Sequence, residues 1–173
     1  ILCRQARTGA PVQRSRIVET EAYLGAEDAA AHTFGGRRTN RNRSMYLDGG
    51  HAYVFLIYGI YDCLNVVTRT SDHPEAVLIR AVEPLPPRPD FRGQRSTHPT
   101  NGPGKLCRHY RITRKQDGAA LWKKADGLWL EAGTPVPTNR IVTAKRIGVD
   151  YAGEAAAWPL RFYERDNSFV SKK

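Results

Sequence analysis

The sequence predicts a mixed α+β fold: one domain over residues 1–173, built on a curved, open-barrel-like antiparallel β-sheet with short helices and a protruding β-hairpin. Three observations predict it. The length of 173 residues fits one domain, and it is enough to bury a core without disulfide or metal staples. Short β-patterned runs recur along the whole chain with turn residues between them. Helical pattern is confined to brief segments, and neither an internal repeat nor a composition break marks a second domain.

Ile1-Leu2-Cys3 reads as the middle of a strand. From Arg16 to Leu24 the chain alternates, with Ile17, Glu19, Glu21 and Tyr23 on one side and Val18, Thr20, Ala22 and Leu24 on the other. Both sides carry useful residues, which favours a central strand over an edge. Gly25 ends the run. The alanine-rich stretch from Ala26 to His32 predicts a short helix with Glu27 and Asp28 in its first turn, His32 one turn after Asp28, and Gly35-Gly36 as its stop. Gly49-Gly50 is a turn. His51 to Tyr58 and Tyr61 to Thr68 are strand-like and flank Gly59, which predicts a hairpin with Tyr58 and Gly59 at its tip. Ala76 to Val82 is an apolar strand interrupted by Arg80. Residues 84–100, rich in proline and arginine, read as an irregular loop. Asn101-Gly102-Pro103-Gly104 turns into a helix at Lys105. Gly127 to Glu131, Arg140 to Lys145 and Leu160 to Tyr163 complete the set as short strands.

The chain carries 27 Lys and Arg against 17 Asp and Glu, a formal net charge of +10. Such a surplus favours a polyanionic partner, most often nucleic acid. A ribosomal-type basic protein is the plainer alternative. The three cysteines are widely spaced, without a C-x-x-C pair. That argues against a disulfide framework or zinc knuckle and predicts reduced thiols in an intracellular protein, with Cys63 as core. No apolar run reaches membrane-spanning length and no secretory signal is visible, so no membrane partner is expected.

Chemistry concentrates between Arg16 and Arg43. Glu19 and Glu21, two apart on a strand, are often merely surface residues. Beside Tyr23, either could serve as general base toward water, and spacing does not choose between them. His32 could be a pocket residue, a base or a metal ligand. Asp28 and His32 are one helical turn apart, but no third ligand is evident nearby, and a structural histidine capped by Asp28 is the plainer reading. The loop Arg37-Arg38-Thr39-Asn40-Arg41-Asn42-Arg43 holds four arginines and no acid. Arg37, Thr39, Arg41 and Arg43 are therefore candidate phosphate contacts, and Lys105 at a helix start is another. Tyr58, a ring beside glycine on a turn, could act as a wedge entering a nucleic-acid stack. Asn65 and Arg80 are polar groups inside apolar strands, either structurally satisfied or functional.

These motifs taken in order, namely RIVETEAYLG, the AAH element, GGRRTNRNR, YVFLIYGIYDCLNVV, VLIRAVEPL, NGPGKLC and PLRFY, resemble the alkyladenine (3-methyladenine) DNA glycosylase family from about Ile17 to Val170. The resemblance implies a monofunctional base-excision repair enzyme. It would flip alkylated or deaminated purines (the 3-methyladenine, 7-methylguanine, hypoxanthine and ethenoadenine class) out of double-stranded DNA and hydrolyse the N-glycosidic bond. It implies a monomer that needs no metal or organic cofactor and has no lyase activity, working in the nucleus of a eukaryote or the nucleoid of a bacterium. In the family's pattern the second glutamate activates water, which falls on Glu21, and Arg80 matches the residue that helps hold that water. Tyr23, His32 and Phe55 match the rings around the flipped base, with Phe55 in place of the family's tyrosine. Asn65 matches the residue that crowds the exocyclic amine of guanine, and Tyr58 matches the wedge. Two departures are expected to matter: the family's N-terminal helical part is absent, implying a truncated chain, and the segment before NGPGKLC is short.

Two other readings compete. One is a non-catalytic nucleic-acid-binding module on the same basic sheet. The other is a metal-dependent nuclease using Glu19, Glu21, Asp28 and His32.

Overall fold

The computed structural model describes residues 1–86 and 98–172. Most of the predicted loop at 84–100, with the short segment before NGPGKLC, therefore lies outside the described residues. Among the described residues one antiparallel sheet holds eight strands: β1 (Leu2–Arg4), β2 (Gln13–Tyr23), β3 (Ala52–Ile57), β4 (Tyr61–Val67), β5 (Ala76–Leu85), β6 (Leu128–Leu130), β7 (Ile141–Ala144) and β8 (Arg161–Glu164). The order runs β3-β4-β5-β2-β1-β6, and β8 joins β2 to β7.

β2 is the spine. It pairs with β5 along its length, with β1 through Gln13–Ser15, and with β8 through Glu19–Glu21. This bears out its reading as a central strand. Its register with β5 shifts on both sides of Glu19: Ile17 lies opposite Val82, Glu19 opposite Ala81 and Thr20 opposite Ile79. Irregularities of this kind bend a strand and re-aim its side chains. The strict alternation expected along residues 16–24 therefore breaks at Glu19 and resumes from Thr20.

The hairpin forms as predicted. β3 and β4 pair from Ala52–Val66 to Ile57–Tyr61, and the amide of Ile60 closes the turn on the carbonyl of Ile57 at 3.2 Å. Both tip residues take positive φ, 52° at Tyr58 and 72° at Gly59. The loop is three residues long, Tyr58 to Ile60, and positive φ is the conformation that glycine adopts without steric penalty.

Among the described residues a single α-helix, α1 (Pro103–Tyr110), has its proline in the first turn, where the missing N–H is no loss. Its Leu106, Cys107 and Tyr110 pack with Val54, Leu64, Ile79, Val82 and Leu128 of the sheet in the main core. Burial leaves Cys63 and Cys107 as free thiols within the structure and pushes Cys63 up to about 12. They behave as small apolar side chains. Gly104 faces the hairpin so closely that a Cβ there would meet the Tyr61 ring at 3.0 Å.

The helix predicted over Ala26–His32 does not form. One 3-10 turn (Gly25–Glu27) is followed by bends, a second turn at Phe34–Gly36 and a third at Arg43–Tyr46. The cause is Asp28. Its carboxylate accepts the amide protons of Leu24 (3.0 Å) and Ala30 (2.9 Å), a local arrangement that competes with helix propagation. No helix among the described residues is long and apolar enough to cross a membrane.

Candidate active site

One cavity of about 500 Å³ opens beside the hairpin tip. Its wall on the β2 side is Tyr23, and its floor is Asn65, Leu78 and Arg80 from β4 and β5. His32 and Phe55 line one flank. The other flank comes from two segments distant in sequence: Asn101–Lys105 at the start of α1, and Ile147, Gly148, Val149 and Tyr151 ahead of β8. Tyr58 stands at the mouth with 80% of its surface exposed.

Each ring is held in place. The Nδ1 atom of His32 lies 2.8 Å from the Tyr53 hydroxyl, and Phe55 packs edge-on against the imidazole with centroids 4.5 Å apart. Burial, helped by Arg41 and Arg37, pushes His32 down to about 4. The imidazole is therefore neutral at physiological pH, with one donor and one acceptor nitrogen. The partner expected from sequence, Asp28, is elsewhere. It is fully buried and accepts from both terminal nitrogens of Arg146. Burial opposes the charge on Asp28, but those bonds and the amides of Leu24 and Ala30 outweigh it and hold the carboxyl below its ordinary range. Arg146 in turn lies 4.8 Å from the centre of the Tyr23 ring. Asp28 and His32 thus do not form a shared metal site. Among the described residues no group of three or more His, Cys, Asp and Glu side chains could hold an ion.

Glu21 is wholly buried and sits directly behind the cavity wall rather than on its surface. Three lining residues touch it. Arg80 Nη1 lies 3.0 Å from Oε1, the amide of Ile147 donates to the same oxygen at 2.8 Å, and the Tyr23 hydroxyl donates to Oε2 at 2.9 Å. Burial and the neighbouring Glu21 charge push the Tyr23 phenol far up, so it stays protonated and a donor. Glu19 is buried too and, like Glu21, does not itself line the cavity. Oε1 takes Arg80 Nε (3.1 Å), Arg161 Nη1 (3.0 Å) and the Ser171 hydroxyl (3.0 Å), and Oε2 takes the Ser171 amide (2.6 Å). The two glutamates left equivalent by spacing therefore differ sharply in surroundings. Asn65 is buried, donates to the Tyr53 carbonyl at 3.1 Å and keeps a face on the cavity.

The arginine loop runs beside this pocket. Arg37, Thr39 and Arg41 line a second cavity of about 390 Å³, which shares His32 and Tyr151 with the first. Arg43 is exposed and lines neither cavity. Not every polar residue of the loop is available to a ligand. Asn42 is buried and donates to the carbonyls of His32 and Arg37, and Thr39 donates to Asn42. Arg41 donates to the Leu56 carbonyl at 2.8 Å, tying the loop to the hairpin. Lys105 lies on the cavity rim, 2.9 Å from Asn101 Oδ1.

Sequence reasoning passed over Arg146, Ile147 and Tyr151. A signal was present: an arginine next to an apolar residue, followed by Gly148, whose φ is 76°. It was too generic to read as a site.

A buried carboxylate behind an aromatic cavity, a projecting ring and a basic rim are parts that a hydrolytic enzyme acting on nucleic acid could use. Comparison makes the class specific. The profile of the family described as Methylpurine-DNA glycosylase (MPG) matches residues 1–168. A protein of Bdellovibrio bacteriovorus is 61% identical over 168 residues, spanning 96% of this chain and 86% of its own. One of Clostridium novyi is 46% identical over 170 residues (91% and 83%), and one of Methanocella arvoryzae is 48% identical over 165 (91% and 80%). Each carries the name "Putative 3-methyladenine DNA glycosylase". The chain belongs to the methylpurine-DNA glycosylase family and is a hydrolytic DNA repair enzyme of that class.

Proposed function

We propose that the protein, as a monomer on double-stranded DNA, extrudes alkylated or deaminated purines and releases them with a water activated by Glu21. The substrates are 3-methyladenine, 7-methylguanine, hypoxanthine and ethenoadenine. The observation that carries this reading is one juxtaposition: a ring-lined cavity holding Tyr23, His32, Phe55 and Asn65, with an exposed Tyr58 at its mouth and Glu21 behind its wall.

The chemistry follows from the residues. Base flipping leaves a gap in the duplex, and Tyr58 is exposed and aromatic, suited to fill it. Arg37, Thr39 and Arg41 on the adjoining cavity, the exposed Arg43 and Lys105 on the rim would hold the backbone. An alkylated purine is electron-poor and is held by stacking in a ring-lined cavity. Asn65 on the floor would crowd the amine of guanine. Water adds to the sugar C1′ as the C1′–N bond breaks. The bond's electron pair leaves with the base, which neutralises a cationic lesion and turns a neutral one such as hypoxanthine into an anion that takes a proton from solvent, and the water proton passes to Glu21. Arg80 and the Ile147 amide both bind Oε1, which leaves Oε2 the oxygen nearer water. Glu19 is less suited because, of the residues that donate to it, only Arg80 lines the cavity. Neither metal nor lysine nucleophile enters, so an intact strand with an abasic site is the expected product.

The test is excision from duplexes carrying hypoxanthine or methylated purines, in the presence of EDTA. Free base and alkali-labile sites are expected, with no strand scission before alkali. Folded protein that releases no base from any of them would refute the proposal.

A further inference from the structure

Glu19 is buried, does not line the cavity, and is the carboxylate that pairs with the buried Arg161. A buried group of two carboxylates and two guanidiniums is a poor way to stabilise a fold, since apolar side chains of the same volume commonly do as well or better. What this group does is geometric. Arg80 has three donor directions in use. Nη1 meets Glu21, while Nε goes to Glu19 and Nη2 lies 3.5 Å from the Ser171 hydroxyl. The plane of its guanidinium is therefore set from the Glu19 side. Arg161, on the opposite side, links Glu19 Oε1 to the carbonyl of Lys145 at 3.0 Å and to the carbonyl of Lys172 at 2.8 Å. Lys145 stands two residues before Ile147, whose amide is the second donor on Glu21 Oε1.

Both donors on Glu21 Oε1 thus trace back to one carboxylate, and that carboxylate is gripped twice by Ser171. Phe169 anchors the same segment by packing with Val18 and Ala81 and stacking on His98 at 4.2 Å.

We infer that Glu19 is a positioning residue, and that Ser171 completes it: together with Arg161 they hold Arg80 and the Ile147 amide against Glu21 Oε1 and so aim Oε2 at the reacting centre. This rests on Glu21 being the base. Glu19 touches neither base nor water, so its loss acts on the chemical step and spares recognition of the lesion.

The experiment is single-turnover excision from a hypoxanthine-containing duplex, with the duplex dissociation constant measured in parallel, for wild type, Glu19→Gln, Ser171→Ala, Ser171→Thr and Glu21→Gln. Misplacing a catalytic group by an ångström can reduce rate by about 100-fold, so Glu19→Gln is expected to slow release by roughly 10- to 100-fold. Its dissociation constant should stay within about threefold, because it lies outside the lesion contacts. Ser171→Ala removes one hydroxyl and should slow release by about 2- to 10-fold, with Ser171→Thr restoring most of the rate.

Should Glu19→Gln fail to fold, Ser171→Ala and its threonine rescue decide the matter alone. Wild-type rates in both Glu19→Gln and Ser171→Ala, with Glu21→Gln inactive, would overturn this inference and leave the proposed function standing. Equal losses of rate and affinity would also overturn it. Release unaffected by Glu21→Gln would remove the proposed base, and this inference with it.

Discussion

Asp28 and Glu21 are both fully buried carboxylates held by an arginine, and they show how differently the same pair can be used. Asp28 is closed. Both oxygens accept from Arg146, and two backbone amides complete it. It anchors the turn that replaces a helix and holds Arg146 under the Tyr23 ring. Glu21 has Oε1 filled by Arg80 and Ile147, while its Oε2 takes only the Tyr23 hydroxyl, itself part of the cavity wall. A saturated ion pair fixes structure, whereas one that keeps an oxygen next to a pocket retains acceptor capacity for a reactant.

The sharpest way to break this contrast is to neutralise each carboxylate. Glu21→Gln is expected to reduce excision by about 10²–10⁴-fold while keeping affinity for a lesion duplex near that of wild type. Single-turnover kinetics beside a binding titration would show it. Full activity in this variant would make the two sites equivalent. Asp28→Asn should act on folding instead. It leaves Arg146 buried with a neutral partner, and breaking such a pair is expected to destabilise by about 3–5 kcal/mol, read from urea denaturation. A change below about 1 kcal/mol would show that Asp28 is not the anchor described here.

A milder probe separates surface from pocket. Tyr58→Ala removes an exposed ring, so stability should move by no more than about 0.5 kcal/mol. Affinity for lesion-bearing duplex should fall by about 1–3 kcal/mol, the range for a base–aromatic stack. Unchanged affinity would leave the tip without a role on DNA.

The smallest effect concerns pH. His32 sits at about 4 in the fold against an ordinary 6.5, so folding favours the neutral ring. The associated stability is fully present above pH 6.5 and is lost as pH falls from there through 4. NMR titration of the His32 ring should give a midpoint near 4, and a midpoint near 6.5 would mean that the imidazole is not sequestered in the flank of the cavity.

Some of this was legible before any coordinates. The hairpin was, because its strand runs are local and flank a glycine turn, and β3, β4, Tyr58 and Gly59 lie where the pattern put them. So was β2 as a central strand, since both sides of the alternating run carry useful residues. The helix at Ala26–His32 misled because alanine propensity is weak next to two amides captured by one aspartate. Tyr23, His32, Phe55, Asn65 and Arg80 were named through family likeness, and the fold brings them to one cavity.

By itself, then, the sequence determined what depends on neighbours along the chain: strand periodicity, turns, net charge and the run of arginines. Only the tertiary structure decided what depends on distant partners. It set Glu19 among Arg80, Arg161 and Ser171, and Glu21 against Arg80, the Ile147 amide and the Tyr23 hydroxyl. It also bent β2 at Glu19 and paired Asp28 with Arg146 from the far side of the chain. The reason is physical: a buried carboxylate takes its character from the donors that surround it, and those donors are gathered by folding across more than a hundred residues.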